Sequence, residues 1–130
     1  MSQLLTLPGM LDPHVHLRGL DWSHKGTFVS ETAAALAGGY WAVLDMPNTP
    51  PATIDPAALR TKLDTLGRGA RCDWGVYFGA SQDDNSAYYA EIIDRVCGLK
   101  MYNNATTGNL LIPDQAARAR HFAALTRFKL

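Results

Sequence analysis

The chain has 130 residues, 47% apolar and 18% charged, which is the composition of one small folded domain. Lysine plus arginine balances aspartate plus glutamate at 12 each, so nothing draws the chain to nucleic acid or an anionic membrane. No run reaches the ~18 apolar residues of a membrane span, and Met1 to Leu11 carries no basic secretory leader, so a cytoplasmic location is expected.

Leu7 to Leu17 reads as a strand that turns polar at its end. Thr27 to Ala37 reads as a helix stopped by Gly38-Gly39. Tyr40 to Met46 is a short, nearly all-apolar strand, as expected when both faces are buried. Asp55 can cap a helix that starts at Pro56 and runs to about Leu66. Arg71 to Ala80 is the next strand, Ala87 to Arg95 the next helix and Val96 to Tyr102 a fourth strand. Pro113-Asp114 opens a last helix to about Leu125, and Thr126 to Leu130 has no clear role. Four strand–helix units in a row imply α/β structure with a parallel sheet. A complete (β/α)8 barrel takes ~250 residues, so the units fit either an open sheet or half a barrel.

Several side chains in this frame carry chemistry. His14 and His16, at i and i+2 of a strand, point to one face and can converge on a metal; the ordinary alternative is two histidines in a turn. Asp12 has the same parity, either as a partner for a ligand imidazole or as a strand-end carboxylate bonded to backbone. Arg18, a further i+2 step, offers a fork matched to a carboxylate. Lys100 interrupts an apolar strand; inside a barrel its amine would be driven neutral and could capture carbon dioxide as a carbamate, whereas at the rim it would simply reach solvent. Asn48 follows the second strand, where a turn role is ordinary and a substrate contact possible in chemistry. Asn104 to Asn109 is a polar loop whose hydroxyls could close over a ligand. Cys72 and Cys97 read as two buried thiols, the three tryptophans as packing, and His24 and His121 as structural.

Four blocks, in order, resemble the dihydroorotases of the amidohydrolase superfamily, in the form found in multifunctional pyrimidine-synthesis proteins. They are Pro8-Gly9-Met10-Leu11-Asp12-Pro13-His14-Val15-His16-Leu17-Arg18, Thr32 to Gly39, Asp45-Met46-Pro47-Asn48-Thr49-Pro50-Pro51, and Gly98-Leu99-Lys100-Met101-Tyr102. The resemblance implies the first half of a TIM-type barrel, with residues 1–130 a partial domain that stops before the later strands. It implies His14, His16 and a carboxylated Lys100 as ligands of two zinc ions. It further implies Arg18 and Asn48 as grips on a substrate carboxylate, and Thr106 and Thr107 in a closing loop. The general-base aspartate is expected beyond Leu130. The implied reaction is reversible hydrolysis of the cyclic amide of dihydroorotate to carbamoyl aspartate, by a homo-oligomer when intact, with aspartate transcarbamoylase as a partner. A hydantoinase, dihydropyrimidinase or allantoinase activity is the alternative, as is a non-catalytic scaffold. The chain departs from the family where Gly19-Leu20-Asp21 replaces E-P-G, where Ser30-Glu31-Thr32 replaces S-G-T, and where Trp41 replaces a threonine.

Overall fold

The computed structural model describes residues 4–128. Four strands, β1 (Met10–Val15), β2 (Tyr40–Asp45), β3 (Asp73–Gly79) and β4 (Gly98–Lys100), pair in parallel in the order β1-β2-β3-β4. Helices α1 (Phe28–Ala37), α2 (Pro56–Gly69), α3 (Tyr89–Ile92) and α4 (Gln115–Leu125) follow them in turn. The alternation fits an open sheet or half a barrel; the sequential order observed is that of the half barrel the resemblance implies. None of these helices is long and apolar enough to cross a membrane. Residues 1–3 of the leader reading and 129–130 of the tail lie outside the described residues.

Local chemistry starts three of the helices. Thr27 and Ser30 form a reciprocal capping box on α1. The Asp55 carboxylate accepts the Ala58 N–H, with Pro56 in the first turn of α2. Asp114 accepts from Ala116 and Ala117 at the start of α4. The third helix differs from expectation: only Tyr89–Ile92 is α-helical, with 3-10 turns on either side. Its start lacks a side-chain cap because the Asn85 amide is spent elsewhere: it accepts from Ser81 N–H and donates to the Ile54 and Gly79 carbonyls.

The core lies between sheet and helices. Val43, Val76, Phe78 and the flanking Val15 and Leu99 pack with Phe28, Leu59, Leu66, Tyr89 and Ile92. Register pairs Asp45 with Val76 and Phe78 with Leu99, so these side chains share the helix-facing side. The residues between them, Leu44, Tyr77 and Lys100, therefore belong to the opposite face. Cys97 corrects the expectation of two buried thiols, because it is exposed and only Cys72 is half-buried. The Cys97 thiol lies against the backbone of Gly75, where a Cβ would sit 2.0 Å from the sulfur.

Two polar contacts are fully buried. His121 of α4 accepts the Tyr89 hydroxyl proton at 2.5 Å through Nδ1, and its Nε2 donates to the Ser81 carbonyl at 2.8 Å. Deeper in the fold, Lys62 Nζ of α2 meets Asp45 Oδ2 at 2.8 Å and the Met46 carbonyl at 2.9 Å. The other Asp45 oxygen accepts the Leu17 N–H at 2.8 Å. One carboxylate thus joins the ends of β1 and β2 to α2. Removing one partner of a buried ion pair leaves the other charge desolvated. Lys62→Met is expected to lower unfolding free energy by about 3–5 kcal/mol, read as the shift in urea midpoint; a change within experimental scatter would show that the pair bears no such weight.

Candidate functional site

At the C-terminal end of β1, past an irregularity in its pairing between Asp12 and Val15, Val15, His16 and Leu17 alternate in face. Val15 packs against the core and Leu17 is buried within it, so His14 and His16 project to the face away from the helices. Their ring centroids are 5.6 Å apart, tilted by 57°. His14 is exposed and His16 half-buried. Burial lowers the His16 pKa from its ordinary 6.5, aided by the positive charge of Arg18 and opposed by the hydrogen bond to Asn48.

That hydrogen bond orders the site. His16 Nδ1 lies 2.8 Å from Asn48 Oδ1, and Asn48 Nδ2 donates to Thr107 Oγ1 at 3.2 Å. The amide oxygen can only accept, so Nδ1 carries the hydrogen and Nε2 keeps a free lone pair. Residues from β1, the loop after β2 and the loop after β4 are joined in one chain of bonds. Thr106, beside Thr107, is half-buried.

Asp12 is placed differently from its parity expectation. Between Asp12 and Val15, β1 spans three residues while its partner spans two, Val43 to Asp45, so the strand bulges. Asp12 consequently pairs alongside Val43, and its carboxylate accepts the backbone N–H of His14 at 3.0 Å. Arg18 has φ of 60°, outside the strand region, so the i+2 rule does not carry through to it. Its guanidinium lies 5.7 Å from the Trp22 ring centroid.

Lys100 pairs with Gly79, half-buried on the same face as the histidines. Its ammonium sits 5.1 Å from the Tyr102 ring centroid. Among the described residues, no hydrogen bond or ring contact links it to His14 or His16. The Tyr102 hydroxyl is buried without a partner, and burial, with the Asp45 charge behind it, raises its pKa to about 12.

Sequence reasoning passed over Asp45 and Lys62. A signal was present: Leu59, Lys62 and Leu66 fall on one stripe of α2, and a lysine on a buried stripe requires a buried acid. Tyr102 was legible only as part of the Lys100 segment.

Two imidazoles on one face, one with its Nε2 lone pair freed by an amide at Nδ1, suit zinc. No group of three His, Cys, Asp or Glu side chains able to hold a metal occurs among the described residues. The two imidazoles therefore fit a metal only as part of a larger ligand set.

No family model matches the chain. Against curated proteins, it is 46% identical over 122 residues to the multifunctional protein CAD of Squalus acanthias, covering 92% of this chain and 5% of that protein. It is 45% identical over 102 residues to the dihydroorotase of Aeropyrum pernix, covering 75% of this chain and 23% of the relative. The chain thus spans under a quarter of either. Among solved structures, it is similar to an L-hydantoinase from Arthrobacter aurescens, with TM-score 0.85 and 24% identity over 92% of this chain and 27% of that one. It is also similar to the inactive dihydroorotase-like domain of a Chaetomium thermophilum CAD-like protein, with TM-score 0.69 and 22% identity over 91% and 34%. At that identity the two structures establish the barrel-type fold alone.

The lowered His16 pKa has a definite sign. As pH falls through 6.5, the unfolded imidazole takes up a proton while the folded one resists, so stability falls with pH until His16's own lower pKa is passed. A histidine NMR titration should place the His16 midpoint below 6.5. Asn48→Leu, which removes the bond that raises it, should move the midpoint lower still; an upward move would contradict the assignment of Nδ1 as donor.

Proposed function

We propose that this chain, related by sequence to the dihydroorotases, forms the opening half of a zinc amidohydrolase barrel that interconverts dihydroorotate and carbamoyl aspartate. The observation that carries the reading is the His14–His16 pair on one face, with His16 bound through Nδ1 to Asn48. The sequence kinship to proteins named dihydroorotase supplies the substrate class. In this reading residues 1–130 are a partial domain, and the general-base aspartate and further ligands lie on later strands.

Zinc held by His14, His16 and a carboxylated Lys100 would supply a Lewis acid and a water acidic near neutrality. The remaining work belongs to side chains. Asn48 fixes the His16 ring and takes up its Nδ1, which leaves the Nε2 lone pair for a metal. Burial lowers the pKa of that imidazole and so favours its uncharged form, the one able to ligate. Carbamate formation needs Lys100 as a free amine, in which state Nζ attacks carbon dioxide and sheds a proton. Arg18 binds the substrate carboxylate through its fork, and Asn48 with Thr106 and Thr107 closes the far side. Asp12 holds the backbone at His14 and so fixes the spacing of the pair. Aspartate transcarbamoylase, joined in one chain or docked, is the proposed partner, in a cytoplasmic homo-oligomer.

A hydantoinase-type activity is the rival reading, since the L-hydantoinase of Arthrobacter aurescens shares this fold. The carboxylate of dihydroorotate distinguishes the two, because Arg18 has no role on an uncharged hydantoin ring. A chimaera carrying residues 8–109 in place of the matching segment of the Aeropyrum pernix dihydroorotase is expected to hydrolyse dihydroorotate and leave hydantoin intact. Asn48→Ala in it should reduce turnover by roughly 10- to 100-fold, and the 130 residues alone should give none. Preference for hydantoin would overturn the assignment.

A further inference from the structure

The loop after β1 surrounds Arg18 with two residues, Trp22 and Lys25, to which the proposed reaction gives no role. Trp22 is half-buried and carries two cations against one indole: the Arg18 guanidinium at 5.7 Å and the Lys25 ammonium at 4.4 Å from the ring centroid. Neither cation has a carboxylate within salt-bridge distance among the described residues, where the ion pairs are Lys62–Asp45 and Arg120–Asp84. Both positive charges are therefore without a carboxylate counter-ion among the described residues.

The backbone here is built to make the arrangement. Arg18, Gly19 and Leu20 all have positive φ, at 60°, 61° and 45°. For arginine and leucine this left-handed conformation is uncommon and persists only where the surroundings impose it. The surroundings are on hand. Gly19 N–H donates to the Gly26 carbonyl at 2.9 Å, Trp22 N–H to the Gly19 carbonyl at 2.8 Å, and Asp21 N–H to the Pro50 carbonyl at 3.2 Å. A Cβ at Gly19 would come within 2.7 Å of the Phe28 ring, so glycine is required there. Leu20 packs against the core. The loop is thus pinned at both ends and underneath, and its one outward aromatic faces the arginine that leaves β1 beside His16.

We infer that Trp22 is a positioning residue for Arg18: its indole holds the guanidinium at the mouth of the site, where it takes a substrate carboxylate, and Lys25 adds a second positive charge at the same ring. This rests on the proposed reading of Arg18 as the carboxylate clamp. The segment Gly19-Leu20-Asp21, which leads into Trp22, is also where the chain departs from the E-P-G pattern of the family it resembles.

The probe is N-carbamoyl-L-aspartate, titrated into the 130-residue chain and followed by ligand-observed NMR. Trp22→Leu should weaken binding about 2- to 5-fold, the loss corresponding to a partly exposed cation–π contact. Trp22→Phe, which keeps a π face and tests against simple misfolding, should retain most of the affinity. In an Arg18→Ala background, Trp22→Leu should have no further effect, an outcome that a merely structural tryptophan would not give. Arg18-dependent binding that is indifferent to Trp22→Leu, or equal losses in both backgrounds, overturns the positioning role while leaving the clamp standing. Binding that is absent, or unchanged by Arg18→Ala, overturns the clamp and the inference with it.

Discussion

A single carboxylate with no access to water organises this fold. Asp45 closes β2, and both of its oxygens are committed: one to the backbone of Leu17 and the other to Lys62. A buried charge is tolerable only when paired and bonded, so the geometry around it is tightly prescribed. Leu17 follows His16 directly, which means that the same bond fixing the end of β1 also fixes the imidazole beside it. Lys62 in turn donates to the Met46 carbonyl, at the point where the chain leaves the strand for the Asn48 loop. The elements that present His16 and Asn48 to each other are therefore referred to one buried centre. Hydrophobic packing brings the layers together, but it is non-directional; the ion pair supplies the register.

The side opposite the helices has a different character. Leu44, Tyr77, Cys97 and Lys100 are each exposed or half-buried, as is the histidine pair, and Leu11 of β1 is 44% exposed. Among the described residues, the Tyr102 hydroxyl is buried without a partner. The loops after β1, β2 and β4 gather at the rim of this face, joined by the His16–Asn48–Thr107 bonds.

Much of this was legible from residue order. The alternation of apolar strands with capped helices gave the four units, because strand burial and cap chemistry are local properties. The i, i+2 spacing placed His14 and His16 on one face for the same reason. Three things were not local. The bulge in β1 that turns Asp12 away follows from pairing with β2, which no spacing rule contains. The shortened third helix follows from Asn85 spending its amide on Ile54 and Gly79, distant in sequence or across a turn. The Asn48–Thr107 bond links residues 59 positions apart. Lys62 is the instructive case, since its place on an apolar stripe was readable, whereas its partner on a strand was not.

The His121 contacts bear on how α4 is seated. That helix carries alanines and arginines along much of its length and only a modest apolar side, so oily packing by itself would let it slide or roll. Hydrogen bonds to the Tyr89 hydroxyl and the Ser81 carbonyl are short and directional, and both of His121's ring nitrogens are used. Displacement by one helical turn, ~5.4 Å, would strand all three groups in a dry interior. The last helix is consequently keyed to a single seating, and whatever packs on its outer side meets a surface whose position is already decided.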